Sequence, residues 1–287
     1  MEGVKNLYSE QWIEPFTHYL REKGKEESTV KLYAAEIAHF LHWLQRSDKS
    51  LVSVVQEDIF ASRDELYLQG KRLSTINKYV SILASFFKWA EGQGMVKSNP
   101  AASARYYTPK KNELPRWLNS EEETRLLALA GQEKNPFKRS RNVALLYVLL
   151  YAGLRLDEVS ELRVSSVLPG ELVVYDRGTE LRRVPLDAKT QAVLGEWIEQ
   201  RALAGKECYK TSDFLFVTER SGSMQPRAVQ FVVEGYAEKL GFEISCHDLR
   251  NTFCRRLAEQ GAPIMMMKRW AGHKSFLTSY QYYSGLQ

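Results

Sequence analysis

The 287-residue chain is poor in several features that would otherwise assign it to a class. Its three cysteines, Cys208, Cys246 and Cys254, show no CxxC spacing. An odd, scattered set gives no disulfide framework, and such thiols are ordinarily packed or incidental. Cys246 adjoins His247, but a single adjacency is no metal site. No apolar run approaches the ~20 residues that a membrane span needs, so no membrane segment is expected. The opening stretch MEGVKNLYSEQW has no apolar region of the secretory-signal kind, and the expected location is cytoplasmic. There is no glycine-rich phosphate loop and no acidic metal cluster, so neither a metal nor any other cofactor is expected. No period of 20–50 residues repeats, which sets aside solenoid and propeller architectures.

What is present is a globular composition, 44% hydrophobic and 26% charged, in a chain long enough for two domains. The net charge of +5 is unevenly placed: residues 1–100 hold 13 Lys and Arg against 13 Asp and Glu, and residues 101–287 hold 27 against 22. A basic half suits a polyanionic partner through counterion release, but solvated charged faces are common enough that the signal needs chemistry beside it.

The first hundred residues carry helical periodicity. In STVKLYAAEIAHFLHWLQ, Val30, Tyr33, Ala34, Ile37, Phe40, Leu41 and Leu44 fall on one stripe; in STINKYVSILASFFKWAEGQG, Ile76, Tyr79, Val80, Leu83, Phe86, Phe87 and Ala90 do the same before Gly92 and Gly94 stop the helix. Shorter helices at 10–23 and 56–69 would complete a four-helix bundle whose aromatics are core residues. Residues 98–116, SNPAASARYYTPKKNELPR, have three prolines and no apolar period, the mark of an extended linker. The expected division is therefore a helical domain over 1–97, a linker over 98–116 and a second domain over 117–287. The second domain reads as helices around one β-hairpin, with strands at 172–175 and 181–186 and Gly178 in the turn. The expected fold class is mainly α with a small β-hairpin or sheet.

Three stretches of the second domain carry chemistry. YAGLRLDEVSELR places Arg155 after Gly153 at the entrance of a helix; CHDLRNTFCRRLAEQG places His247 and Arg250 three apart on one helical face; AGHKSFLTSYQYY puts His273 ahead of three tyrosines. Two guanidinium groups, two imidazoles and a phenol suit metal-free phosphoryl transfer. Arginine forks match phosphate oxygens and stabilise a pentacoordinate transition state, and histidine adds a hydrogen bond or moves a proton. A phenol whose phenolate is favoured by nearby cations can form a phosphotyrosyl ester, which conserves the energy of the broken bond, so that religation requires no ATP. Taken singly, an arginine after AGL is more often a surface residue and a His-x-x-Arg pair a local hydrogen bond.

Together and in this order, AGLRLDEVSEL, HDLRNTF and AGHKSFLTSYQYY resemble the motifs of the tyrosine recombinases, or phage-type integrases, with a layout like the Xer and transposon-resolution members. The helical N-terminal part is similar to that family's core-binding domain in length and pattern. The resemblance implies a two-domain DNA clamp and a site-specific DNA recombinase acting through a 3′-phosphotyrosyl intermediate, for integration, excision or resolution. It implies that Arg155 and Arg250 bind the scissile phosphate, that His247 and His273 assist, that Glu158 supports the site and that Tyr282, nine residues after His273, is the nucleophile. Tyr283 is the nearest rival, and Tyr280 is expected to pack. The implied partners are double-stranded DNA at a specific core site and three further copies of the chain in a tetramer assembled on it, with accessory proteins to impose direction. Lys110, Lys111, Lys138, Arg139 and Arg141 are candidate phosphate contacts by their clustering.

The family carries a lysine in the hairpin as general acid, whereas YDRGTELRRVPL has Arg177 in that place. Arginine keeps its proton to pH ~12 and is a weaker acid though a good clamp, so either Arg177 substitutes at a cost in rate or another cation, such as Lys274, enters the site. A similar arginine, histidine and tyrosine set serves type IB topoisomerases and telomere resolvases. A DNA-binding relative with impaired catalysis is the alternative from another class, and it predicts DNA retention without a covalent adduct.

Overall fold

The computed structural model describes residues 12–103, 114–176, 178–218 and 221–286. Lys110, Lys111 and Arg177 lie outside them. The chain separates into two compact units, Met1–Asn112 and Glu113–Gln287.

The first unit comprises α1 (Glu14–Glu22), α2 (Glu27–Arg46), α3 (Gln56–Leu68) and α4 (Leu73–Gly92). The two long helices form where the apolar stripes run: Ile37, Phe40, Ile76, Val80, Leu83, Phe86 and Phe87 are almost wholly buried. Rings interlock edge to face, Phe16 of α1 on Phe86 of α4 at 5.2 Å and Phe40 of α2 on Phe87 of α4 at 5.8 Å between centroids, a geometry favoured by the ring quadrupole. Beyond α4, Asn99 Nδ2 donates to the Ala84 carbonyl at 3.0 Å and Ala101 is buried, so residues 99–101 pack on this unit.

The second unit opens with α5 (Ser120–Gly131), α6 (Pro136–Tyr147), a π-helical turn (Val148–Ala152) and α7 (Leu156–Glu161). A three-stranded antiparallel sheet follows, β1 (Val167–Leu168), β2 (Glu171–Asp176) and β3 (Thr179–Pro185), in the order β1-β2-β3. The hairpin expected from sequence is β2–β3, with Gly178 at φ +85° in its turn; β1 adds a short third strand. Then come α8 (Ala188–Leu203), α9 (Glu207–Thr211), α10 (Pro226–Leu240), α11 (Cys246–Glu259), α12 (Ile264–Ala271), α13 (Phe276–Tyr280) and a 3-10 turn (Gln281–Tyr283). No described helix is long and apolar enough to cross a membrane.

Local chemistry sets the start of the helix that matters most. Ser245 and Asp248 form a capping box at α11, with Asp248 N donating to Ser245 Oγ at 3.2 Å and Ser245 N to Asp248 Oδ2 at 2.8 Å. That box begins the helix one residue before His247. Of the cysteines, Cys246 and Cys254 are buried and Cys208 is half-buried.

Candidate active site

Four segments of the second unit converge. Gly153 ends the π-helical turn with φ +60°, and a Cβ there would lie 2.1 Å from the Phe253 ring, so only glycine fits both the backbone and the space. The turn delivers Arg155 to the N-cap of α7. Its backbone N–H donates to Glu158 Oε2 at 2.7 Å and its Nη1 to Glu158 Oε1 at 3.0 Å, while Nη2 reaches the carbonyl of Gly272. On α11, Arg250 is buried and spans two loops, donating to the carbonyls of Gly153 and Ala271. His247, exposed one turn earlier, lines with Arg155 and Arg250 a cavity of about 300 Å³. The three residues, picked from two separate motifs, therefore share one cavity.

Glu158 anchors this arrangement together with a residue that motif reading passes over. Arg182 on β3 donates to both Glu158 oxygens, at 2.7 and 2.8 Å, and through Nε to the Trp270 carbonyl at 2.7 Å. Burial alone would raise the Glu158 carboxyl, but the hydrogen bonds and charge of Arg182, aided by Arg155, outweigh it and hold the group at about 2. The signal for Arg182 lay in strand alternation: it shares a face with the buried Val184 and pairs across the ladder with Val174. For Arg250, burial lowers the guanidinium pKa and the nearby Arg155 charge adds to the effect.

Gly272, in the left-handed region at φ +64°, turns the chain out of α12 and into His273. His273 is buried, with Nδ1 2.9 Å from Ser279 Oγ and Nε2 3.9 Å from the Cys254 thiol. Burial pushes its pKa down to about 4, with the charges of Arg250, Arg155 and Arg182 adding to the effect, so the ring is neutral at pH 7. The Tyr282 ring stacks on His273 at 6.0 Å and is only 3% exposed; its phenol donates to Asn251 Oδ1 at 2.7 Å. Burial pushes that phenol up to about 12, the Cys254 side adding and Arg250 opposing.

The remaining candidates separate. The Tyr283 hydroxyl is bound to the Ala262 carbonyl. Tyr280, expected to pack, is 57% exposed and only stacks on Phe276, because α13 is a single short helix with one face in solvent. Lys274 is exposed beside His273. Lys138 and Arg139 are exposed in the first turn of α6. Arg141 corrects the phosphate-contact expectation: it is 8% exposed, with Nε and Nη2 on Asn142 Oδ1 at 3.1 and 3.0 Å and Nη1 on the Val217 carbonyl. It precedes Ala144 and Leu145 by one turn, on the face that enters the core. Among the described residues no group of three or more His, Cys, Asp or Glu could hold a metal ion.

Comparison with known proteins places this geometry. Residues 116–287 match the phage integrase family, and residues 13–94 match the phage integrase N-terminal SAM-like domain. Tyrosine recombinase XerD of Oceanobacillus iheyensis is 28% identical over 278 residues, covering 94% of this chain and 92% of the relative. Tyrosine recombinase XerC of Anoxybacillus flavithermus is also 28% identical over 278 residues, covering 94% and 91%. Among solved structures, the Tn1549 transposon integrase in complex with circular intermediate DNA superposes with a TM-score of 0.75 at 19% identity, covering 98% of this chain and 95% of that one. The lambda integrase dimer bound to a core site gives 0.73 at 18% identity, covering 99% and 81%. With its family model spanning more than half its length, the chain belongs to the phage integrase family, as a tyrosine-type site-specific recombinase.

Proposed function

We propose that the chain cleaves and rejoins double-stranded DNA at a specific core site, with Tyr282 as the nucleophile. The observation that carries this reading is the single cavity lined by Arg155, His247 and Arg250, with His273 and Tyr282 stacked beside the Arg250 helix. The two guanidinium groups hold the non-bridging oxygens of the scissile phosphate and stabilise the charge that grows as the phosphorus becomes pentacoordinate. The Tyr282 oxygen forms a bond to phosphorus and the bond to the 5′ oxygen breaks, leaving a 3′-phosphotyrosyl ester and a 5′-hydroxyl. His247 and His273 hydrogen-bond to the phosphate and move protons; a neutral His273 can accept the phenol proton, which a charged one cannot. Glu158 keeps Arg155 oriented. Arg177 takes the leaving-group position on sequence grounds, and rescue of Arg177→Ala by a 5′-bridging phosphorothiolate, whose leaving group needs little protonation, tests it as the proton donor.

Residues 1–97 supply a DNA-binding domain, 98–116 the linker and 117–287 the chemistry. Lys138 and Arg139 contact phosphates, four copies assemble on the DNA, and the reaction takes place in the cytoplasm. The test is a nicked suicide duplex carrying the core site, resolved on denaturing gels with peptide mapping. A covalent adduct mapping to Tyr282, lost in Tyr282→Phe and kept in Tyr283→Phe, is expected. Binding of wild type without any adduct would overturn the assignment.

A further inference from the structure

Glu158 carries one negative charge and is held by two cations. Its Oε1 accepts from Arg155 Nη1 at 3.0 Å and from Arg182 Nη1 at 2.7 Å, while Oε2 accepts from the Arg155 backbone N–H at 2.7 Å and from Arg182 Nη2 at 2.8 Å. The two guanidinium groups differ in access. The Arg155 side chain is 43% exposed and lines the reaction cavity, whereas that of Arg182 is 5% exposed and, like Glu158, is not among the groups lining it. Arg182 is fixed from β3 by its Nε bond to the Trp270 carbonyl at 2.7 Å. The two cations also close on Gly272 together: a Cβ there would lie 2.9 Å from Arg182 Nη1 and 3.1 Å from Arg155 Nη1. Arg250 senses all three charges, for burial lowers its pKa most, Arg155 and Arg182 add to that, and Glu158 opposes them.

We propose that Arg182 is a positioning residue whose charge cancels that of Glu158, so that Glu158 can hold Arg155 in place without neutralising it towards the scissile phosphate. The inference rests on the cavity being the phosphate site of the proposed reaction. An Arg155–Glu158 pair alone has no net charge, and an anion brought to it meets attraction from one partner and repulsion from the other. With Arg182 behind the carboxylate, the three groups sum to a single positive charge, and Arg250 makes it two. The difference matters most as the phosphorus becomes pentacoordinate, because a phosphodiester with one negative charge then gains a second where water screens little. Orientation and charge thus come from different residues. Glu158 aims the Arg155 fork, and Arg182 leaves that fork cationic.

The test uses the whole chain, as Arg182→Met, Arg182→Lys and the double variant Arg182→Met with Glu158→Gln, and two readouts. The first is single-turnover adduct formation on the nicked suicide duplex at saturating protein. The second is the slope of log affinity against log salt for the intact core-site duplex; an unfolded fraction of chain moves the intercept of that plot and leaves its slope alone. Arg182→Met is expected to slow the adduct roughly 10- to 100-fold and to reduce the slope by about 1, since one positive charge leaves the phosphate site. Adding Glu158→Gln removes the carboxylate that Arg182 had balanced. The double variant is therefore expected to form adduct roughly fivefold faster than Arg182→Met and to regain the wild-type slope, although the site has lost a second group. Arg182→Lys keeps the charge with fewer bonds and is expected to hold the slope and to lose less than about tenfold in rate. A merely structural Arg182 predicts the reverse order, with the double variant slowest. A double variant no faster than Arg182→Met, a slope that Arg182→Met leaves unmoved, or Arg182→Lys as slow as Arg182→Met overturns the proposal. An absent wild-type adduct would instead sink the nucleophile assignment, and the salt slopes would still decide whether Arg182 balances Glu158.

Discussion

The two units bury different things. Among the described residues the first unit buries Thr17, Asp58 and Ser62 but no arginine, and its interior is rings against rings. The second buries Arg141, Arg182, Arg201 and Arg250, with donors on main-chain carbonyls, on Asn142 or on Glu158. Burying a cation costs several kcal/mol before its hydrogen bonds offset it, and two of these four, Arg182 and Arg250, stand at the candidate active site. The aromatic interior has no such cost and performs no chemistry. Ring packing dominates one interior, and fixed cations are added to the apolar core of the other.

The sharpest way to break this contrast is to remove a ring. Phe86→Ala should destabilise the first unit by about 3–5 kcal/mol, read by hydrogen exchange on α2 and α4, and leave exchange in α11 unchanged. Global loss of protection would show that the division is false. Next comes Arg250→Met, which should lower adduct formation about 10²–10³-fold while costing no more than ~3 kcal/mol in unfolding, because the carbonyls of Gly153 and Ala271 lose their donor.

A pH series sharpens the contrast further. His273 binds its proton less readily folded, at about 4, than unfolded, at 6.5, because of burial and the surrounding arginines. Between those values the unfolded state holds more protons, so stability is full above 6.5 and falls as pH drops towards 4, by ~3 kcal/mol at most. Glu158 continues the loss from 4.5 towards 2 as its carboxylate is protonated. Chemical denaturation of His273→Asn should lose the first window and keep the second. The smallest effect separates the cations of α6: Lys138→Ala and Arg139→Ala should each reduce the slope of log affinity against log salt by about 1, whereas Arg141→Ala should leave the slope unchanged and lower stability.

These contrasts also explain what could be read in advance. The bundle was legible because its helices are patterned by apolar spacing alone: the stripe from Val30 to Leu44 became α2, and that from Ile76 to Ala90 became α4. Arg155, His247 and Arg250 were legible because motif order stood in for distance. Arg182 was passed over beside Arg183, although alternation with Val184 marks it as the inward member of the pair. Arg141 was misread because clustering along the chain ignores helical phase. The partnership of Asn251 with Tyr282 spans 31 positions and leaves no local trace, since neither residue's spacing predicts the other.

The burial of two of the three thiols has a practical consequence. Burial pushes Cys246 and Cys254 up to about 11, so at pH 8 each carries roughly one thiolate in a thousand, while Cys208 on α9 is half-buried. A maleimide dye therefore goes to Cys208 without any engineered substitution. That gives the native chain a built-in reporter position, outside the residues that line the reaction cavity, from which fluorescence can follow encounter with DNA in real time.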